Sequence, residues 1–220
     1  MKKDSNKKLA FTLAEVLITL GIIGIVSAMT IPTLVTRYQK NVTLSKLKKV
    51  YAEFGSIAKM SIINGNIYNH NMSSNTVFDT FIKQHVRSAK MINESEAFKF
   101  NQLNGAENEL FFSTDEDFLS FTTDNGIKYS IYRVGEGTDG TRNDVWFDLN
   151  GSSAPNILGK DIFVFHIDFY NGTVAPFRLE SVTYGGPGIL ASDCSTSGSG
   201  RYCFTKIYYD GWQIKDDYPW

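Results

Sequence analysis

One acid stands alone in the longest apolar run of this chain. From Phe11 to Ile31 the sequence reads FTLAEVLITLGIIGIVSAMTI, and Glu15 is its single charge. A carboxylate inside a membrane span costs about 2–3 kcal/mol or more and marks a functional position by default. Two other sets of residues could do chemistry. Asp148, Asn150 and Asp161 could supply oxygens to a calcium ion. Calcium takes about six to eight such ligands, however, and an EF-hand loop needs a Glu that is absent here. A turn built on Asx hydrogen bonds, with glycine at positive φ, is the simpler reading. Cys194 and Cys203 have eight residues, STSGSGRY, between them. That spacing is not the C-x-x-C of a redox pair, and a metal there would lack its other ligands. His85 has no second His or Cys at ligand spacing and reads as a packed or half-exposed side chain. The acidic run Asp115-Glu116-Asp117 reads as a solvated loop. G-x-S-x-G, Walker A and H-E-x-x-H are all missing, so no catalytic residue is assigned and no enzyme is expected.

The elements that must position these residues come from length, composition and pattern. At 220 residues the chain suits one domain, or one domain with an appendage. With 42% hydrophobic and 20% charged residues it is not disordered throughout. A net charge of −1, from 22 Lys+Arg and 23 Asp+Glu, excludes a polycation. Mean hydropathy of −0.18 excludes a polytopic membrane protein. Two cysteines and three histidines leave little material for a zinc cluster. The charge is nonetheless unevenly placed. Lys2, Lys3, Lys7 and Lys8 against Asp4 give the first ten residues a net +3, while the chain beyond Ile31 is mildly acidic. A helix over the apolar run would be roughly 31 Å long, the thickness of a bilayer core. Lysines ahead of it favour a cytoplasmic N-terminus. A cleaved secretory signal has an apolar core of only about 7–15 residues, and Ser27-Ala28-Met29 is a poor cleavage site. A plain anchor leaves Glu15 unexplained, and a buried core helix leaves the lysines unexplained.

Lys7-Lys8-Leu9-Ala10-Phe11-Thr12-Leu13-Ala14-Glu15-Val16-Leu17, followed by an apolar stretch and Pro32, resembles the N-terminus of type IV pilins and type II secretion pseudopilins. The motif covers about a tenth of the chain. The resemblance implies that a membrane-embedded prepilin peptidase cuts between Ala10 and Phe11, and that the new amine of Phe11 is methylated. The family usually has Gly before the cut. Ala10 is the next smallest side chain, so slower processing is expected. Glu15 lies four residues beyond Phe11, about 6 Å deeper along a helix. A neighbouring subunit shifted along the axis can bring its Phe11 amine to this carboxylate, which offsets the desolvation cost and fixes the stagger. Glu15 is therefore read as an assembly register. Gly21 and Gly24, with Ala14, Ser27 and Ala28, permit close helix approach. Gly21, Gly24 and Pro32 are candidate sites of helix bending, against the alternative of ordinary membrane-helix composition for the glycines. Many pilins close a C-terminal loop with a disulfide, and in an oxidising periplasm Cys194 and Cys203 would do so, contributing about 2–3 kcal/mol. The segment from Asp148 to Asp161, D-x-N-G then P-N-x-x-G-x-D, resembles a strand–loop–strand element of pseudopilin-like ectodomains.

Beyond the apolar run the three- and four-residue recurrence of Val35, Tyr38 and Val42, then Leu47, Val50, Tyr51, Phe54, Ile57, Ala58 and Ser61, continues the helix to about Ile63, where Asn64-Gly65-Asn66 stops it. A helix from Phe11 to Ile63 would be about 80 Å long. An anchor followed by a separate helix would instead break near Pro32. Residues 64–75 read as a loop and Thr76–Arg87 as a short helix, while 88–116 resist assignment. Period two then sets in. Phe118–Thr122 and Ile127–Arg133 flank the hairpin signal Asp124-Asn125-Gly126. After a loop over 135–144 come strands at Val145–Leu149, Asp161–Phe169 and Thr173–Phe177. Tyr184–Gly188 reads as a loop. The aromatic tail YYDGWQIKDDYPW suits either a partner surface or a cover over the sheet edge.

The expected fold is α+β and pilin-like, a long helix packed on an antiparallel sheet. The expected organisation is a leader at 1–10, a polymerisation helix at 11–32, its amphipathic continuation at 33–63 and a periplasmic or extracellular ectodomain at 64–220. The expected function is a structural subunit of a pilus or pseudopilus, held in the inner membrane with its N-terminus cytoplasmic. Its implied partners are other pilin-like subunits in a homo- or hetero-oligomeric filament, prepilin peptidase/methyltransferase and the inner-membrane assembly platform. The runner-up within the class is a minor pilin that primes or tips a filament, including DNA-uptake pili, although no Arg/Lys stripe on the ectodomain supports nucleic-acid binding directly. The alternative from another class is an anchored enzyme or binding protein that does not polymerise. No cofactor is expected beyond the calcium option.

Overall fold

The computed structural model describes residues 12–65, 72–86, 88–92, 99–109, 118–133, 142–151, 153–178 and 188–220. The chain forms two compact units, Met1–Val42 and Thr43–Trp220. Helix α1 (Leu13–Ile63) contributes residues to both.

In the first unit α1 is bare. Its apolar side chains face outwards all round, as in Leu17, Ile23 and Met29. Helix α1 is long and apolar enough to cross a membrane, and none of its most apolar stretch is buried within the protein. Thr19, Thr30 and Thr36 turn their hydroxyls onto the carbonyls of Val16, Val26 and Pro32, so these polar groups are satisfied within the helix. Gly21, Gly24 and Pro32 all lie inside α1, and no break occurs at Pro32. Pro32 has no N–H to give to the carbonyl four residues back. Around Gly21 and Gly24 the space that a Cβ would fill is open.

In the second unit the amphipathic pattern has its expected effect. Leu47, Val50, Phe54, Ile57, Ala58 and Ser61, spaced by three and four, form the buried stripe of α1. They pack on a six-stranded sheet in the order β1-β4-β5-β6-β7-β8, antiparallel throughout. Its strands are β1 (Lys90–Met91), β4 (Phe118–Thr122), β5 (Lys128–Arg133), β6 (Arg142–Asp148), β7 (Ile162–Asp168) and β8 (Thr173–Pro176). A separate hairpin joins β2 (Lys99–Asn101) to β3 (Glu107–Glu109). Alternation sends Tyr129, Ile131, Val145, Phe147, Phe163, Phe165 and Ile167 into the core shared with α1. Trp146, Ile162 and Val164 point the other way and pack with Phe100, Leu158 and Phe177. The sheet is therefore buried on both faces around β6 and β7, where Val145 pairs with Phe165 and Phe147 with Phe163.

Several local expectations shift. The short helix begins earlier than Thr76, as α2 (Ser74–Val77) capped by Ser73, and continues as a π-helical turn over Phe78–Ile82. Strand β6 starts at Arg142, inside the expected loop. The rest of that loop, Asp115-Glu116-Asp117, Arg87 and most of Tyr184–Gly188 lie outside the described residues.

Two C-terminal helices follow, α3 (Gly188–Asp193) and α4 (Cys203–Tyr209). The Cys194–Cys203 disulfide is formed and both cysteines are buried. Gly159, at φ +89°, makes room for it: a Cβ there would stand 2.7 Å from Cys203 Sγ. The aromatic tail folds back as a cover. Trp212, Ile214 and Trp220 pack on the core, and buried Tyr218 donates its hydroxyl to the Gly159 carbonyl. Lys206 secures this tail with Nζ 2.8 Å from Asp217 and 3.0 Å from Asp210. Burial acts to lower the Lys206 pKa, but the two carboxylates outweigh it and raise the value. At the last strand of the sheet, Tyr51 donates its hydroxyl to the Val174 carbonyl of β8 at 3.1 Å. Pro176 in the same strand has no N–H to offer.

Candidate assembly site

Glu15 sits in the first turn of α1, exposed. It is also bound to its own helix start. Thr12 donates both its backbone N–H and its hydroxyl to Glu15 Oε2, each at 2.8 Å. The Glu15 N–H in turn donates to Thr12 Oγ1 at 3.3 Å. This is a reciprocal capping box, which satisfies donors that a helix start leaves orphaned. The signal was present in the sequence as T-x-x-E, absorbed into the longer motif. Thr12 is thus a site residue that pattern reading missed. The carboxylate keeps a second oxygen, and its charge, for another partner. Ala10 and Phe11, the expected cleavage and methylation positions, lie outside the described residues.

In the second unit, the fold does bring Asp148, Asn150 and Asp161 together. Asp161 Oδ1 accepts the Ile157 N–H at 2.7 Å, and Oδ2 accepts the Asn156 N–H at 2.8 Å and Asn150 Nδ2 at 3.3 Å. Asp148 Oδ1 accepts the Asn150 N–H at 3.0 Å. The Asp148–Asn150 bond is that of an Asx turn, with Gly151 at φ +67°, while the Asp161 carboxylate ties back the loop before it. Among the described residues no group of three or more His, Cys, Asp or Glu is placed to hold a metal ion.

Burial raises the Asp148 pKa to about 7, against the Asn150 N–H that lowers it, with the Asp161 charge pushing the same way as burial. The folded value lies above the unfolded one, so the folded state loses stability as pH rises from about 4 to about 7. Asp148→Asn keeps an acceptor for Asn150 and removes the charge. The variant is expected to match the parent in urea melts at pH 4 and to exceed it at pH 8. Equal midpoints at pH 8 would show that the fold does not raise the Asp148 pKa.

A second buried polar pair lies on β6 and β7, where His166 Nδ1 is 2.6 Å from Asp144 Oδ1. An Asp–His pair invites a catalytic reading, but His166 Nε2 accepts the backbone N–H of Arg178 at 2.9 Å. The nitrogen that a general base turns toward substrate is therefore occupied by the fold.

Residues 5–31 match the family model described as Prokaryotic N-terminal methylation motif. No curated protein and no solved structure matches the chain. That match takes in the capping box and the apolar start of α1, and in the second unit the α1 stripe from Leu47 to Ser61 packs on an antiparallel sheet. The chain therefore carries the prepilin signature of type IV pilins and pseudopilins, as a membrane-anchored protein of pilin-like α+β fold.

Proposed function

We propose that this chain is a structural subunit of a type IV pilus or a type II secretion pseudopilus. Prepilin peptidase removes residues 1–10 by cutting between Ala10 and Phe11, and the exposed Phe11 amine is methylated. Before assembly the chain spans the inner membrane with its N-terminus in the cytoplasm, and the assembly platform draws it into a filament with other pilin-like subunits. The observation that carries this reading is the methylation motif over residues 5–31. An exposed carboxylate at Glu15, at the start of an otherwise apolar span, supports it. In the filament Glu15 receives the Phe11 amine of a neighbour, and this pairing sets the stagger. Gly21, Gly24 and Pro32 are the places where α1 yields as it packs.

The test is the intact mass of the protein recovered from cells that make prepilin peptidase. The expected mass lacks Met1–Ala10 and carries one added methyl group. A mature protein that retains Met1–Ala10 would refute processing. Cleavage slower than for an Ala10→Gly variant is the expected mark of the residue at the cut.

A further inference from the structure

One segment of α1 carries several cations and no acid. After Glu15 the next acid in the sequence is Glu53, and between them stand Arg37, Lys40, Lys46, Lys48 and Lys49. Lys46 is committed to the Leu149 carbonyl at 2.9 Å, and Lys49 has the Glu53 charge beside it. Arg37 and Lys40, both in the first unit, form no ion pair among the described residues. They are three residues apart, so they are neighbours on the helix surface. Tyr38 beside them is 69% exposed.

Their depth follows from the helix rise. Val35 ends the run of exposed aliphatic side chains that begins at Leu13. At about 1.5 Å per residue, Arg37 and Lys40 stand about 3 Å and about 8 Å beyond it along the axis, at the level of lipid headgroups. Four lysines precede the apolar run and five cations follow it before Val50. We infer that Arg37, Tyr38 and Lys40 form a collar that binds the anionic phospholipid headgroups of the leaflet beyond Val35. A guanidinium and an ammonium pair with phosphate oxygens while their stems and the Tyr38 ring stay at the hydrocarbon edge. Acidic protein is the competing counter-charge, since residues 50–220 hold 21 acids against 13 cations. Helix rise alone brings Arg37 and Lys40 to the headgroups, with no second molecule required.

The collar rests on the membrane-anchored reading, so insertion is read first, by flotation of the full chain with vesicles of pure phosphatidylcholine. Lipid retention is then read by native mass spectrometry from micelles holding equal amounts of phosphatidylglycerol and phosphatidylcholine. Phosphatidylglycerol is expected to be retained in preference. Arg37→Gln and Lys40→Gln are each expected to cut that preference about fivefold, and the double variant about 25-fold. Arg37→Lys should retain it. Equal retention of the two lipids by the parent chain would overturn the collar, as would an undiminished preference in the double variant. Carbodiimide cross-links from Lys40 to acids of a second copy, with no lipid preference, would also overturn it and assign the cations to protein. A parent chain that fails to float would overturn the anchored reading, and the collar with it.

Discussion

Glu15→Ala is expected to abolish incorporation into filaments while leaving the chain inserted in the membrane. The charge is worth most where water is absent. An unpaired carboxylate in the hydrocarbon costs about 3 kcal/mol, and pairing it with the amine of a neighbour recovers a comparable amount per contact. Loss of that contact corresponds to on the order of a hundredfold in the association constant for each subunit added. The capping box makes the test sharper than a single substitution. Glu15 does two things, since it caps α1 through Thr12 and carries a charge. Glu15→Gln keeps an acceptor for the Thr12 N–H but loses the charge. Thr12→Val removes the hydroxyl and keeps the charge, at a cost of about 1 kcal/mol in helix stability. On the register reading Glu15→Gln fails to assemble and Thr12→Val assembles. The measurement is the sheared filament fraction, with alkaline extraction as the control for insertion. Assembly of Glu15→Gln together with failure of Thr12→Val would replace the register by a cap.

Phe165→Ala is the substitution expected to cost the second unit most stability, about 3–5 kcal/mol. Phe165 is fully buried in β7. Its ring centroid lies 5.7 Å from Tyr51, 5.4 Å from Phe54, 5.5 Å from Phe147 and 5.6 Å from Phe204. Those partners come from α1, β6 and α4, so the cavity opens where three elements meet. A typical domain has about 5–15 kcal/mol of stability in all, and the loss is a large share of it. Phe165→Leu keeps much of the volume and is expected to cost less than about 1.5 kcal/mol. Urea melts of the full chain in detergent, followed by tryptophan fluorescence, measure both. Trp212 stacks edge-on against Phe204 at 5.8 Å and reports from beside the cavity. A loss below about 1 kcal/mol for Phe165→Ala would mean that the core relaxes into the space.

What was legible in the sequence follows from how local each signal is. α1 could be read because its apolar spacing recurs over many turns and Asn64-Gly65 ends it. The β4–β5 hairpin could be read because Asn125-Gly126 forces the turn, with Gly126 at φ +78°. β7 could be read because it is a short run of β-branched and aromatic residues, IFVFHID, buried on both faces and closed by the Asn171-Gly172 turn. By contrast β2 and β3 are three-residue strands, too short to show a period, and only Asn104-Gly105 marked their turn. α4, CFTKIYY, is rich in aromatic and β-branched residues that favour strands, and tertiary packing overrides that preference. At the N-terminus Glu15 stood out at once as a charge in an apolar run. Its bond to Thr12 did not, because the same letters also spell the processing motif. The Asp144–His166 pair was invisible for a different reason, since neither residue is unusual until β6 and β7 align in register.

Strand β8 bears on how such chains can be crowded. A filament built through helices would bring many copies of the second unit to very high local concentration. Any sheet edge with free hydrogen-bonding groups would then be a template for another sheet, and irreversible clumping would compete with ordered growth. Tyr51 already occupies the Val174 carbonyl, and Pro176 withholds a donor. Stacking edge to edge is thereby discouraged along this strand, as a unit crowded in a filament would require.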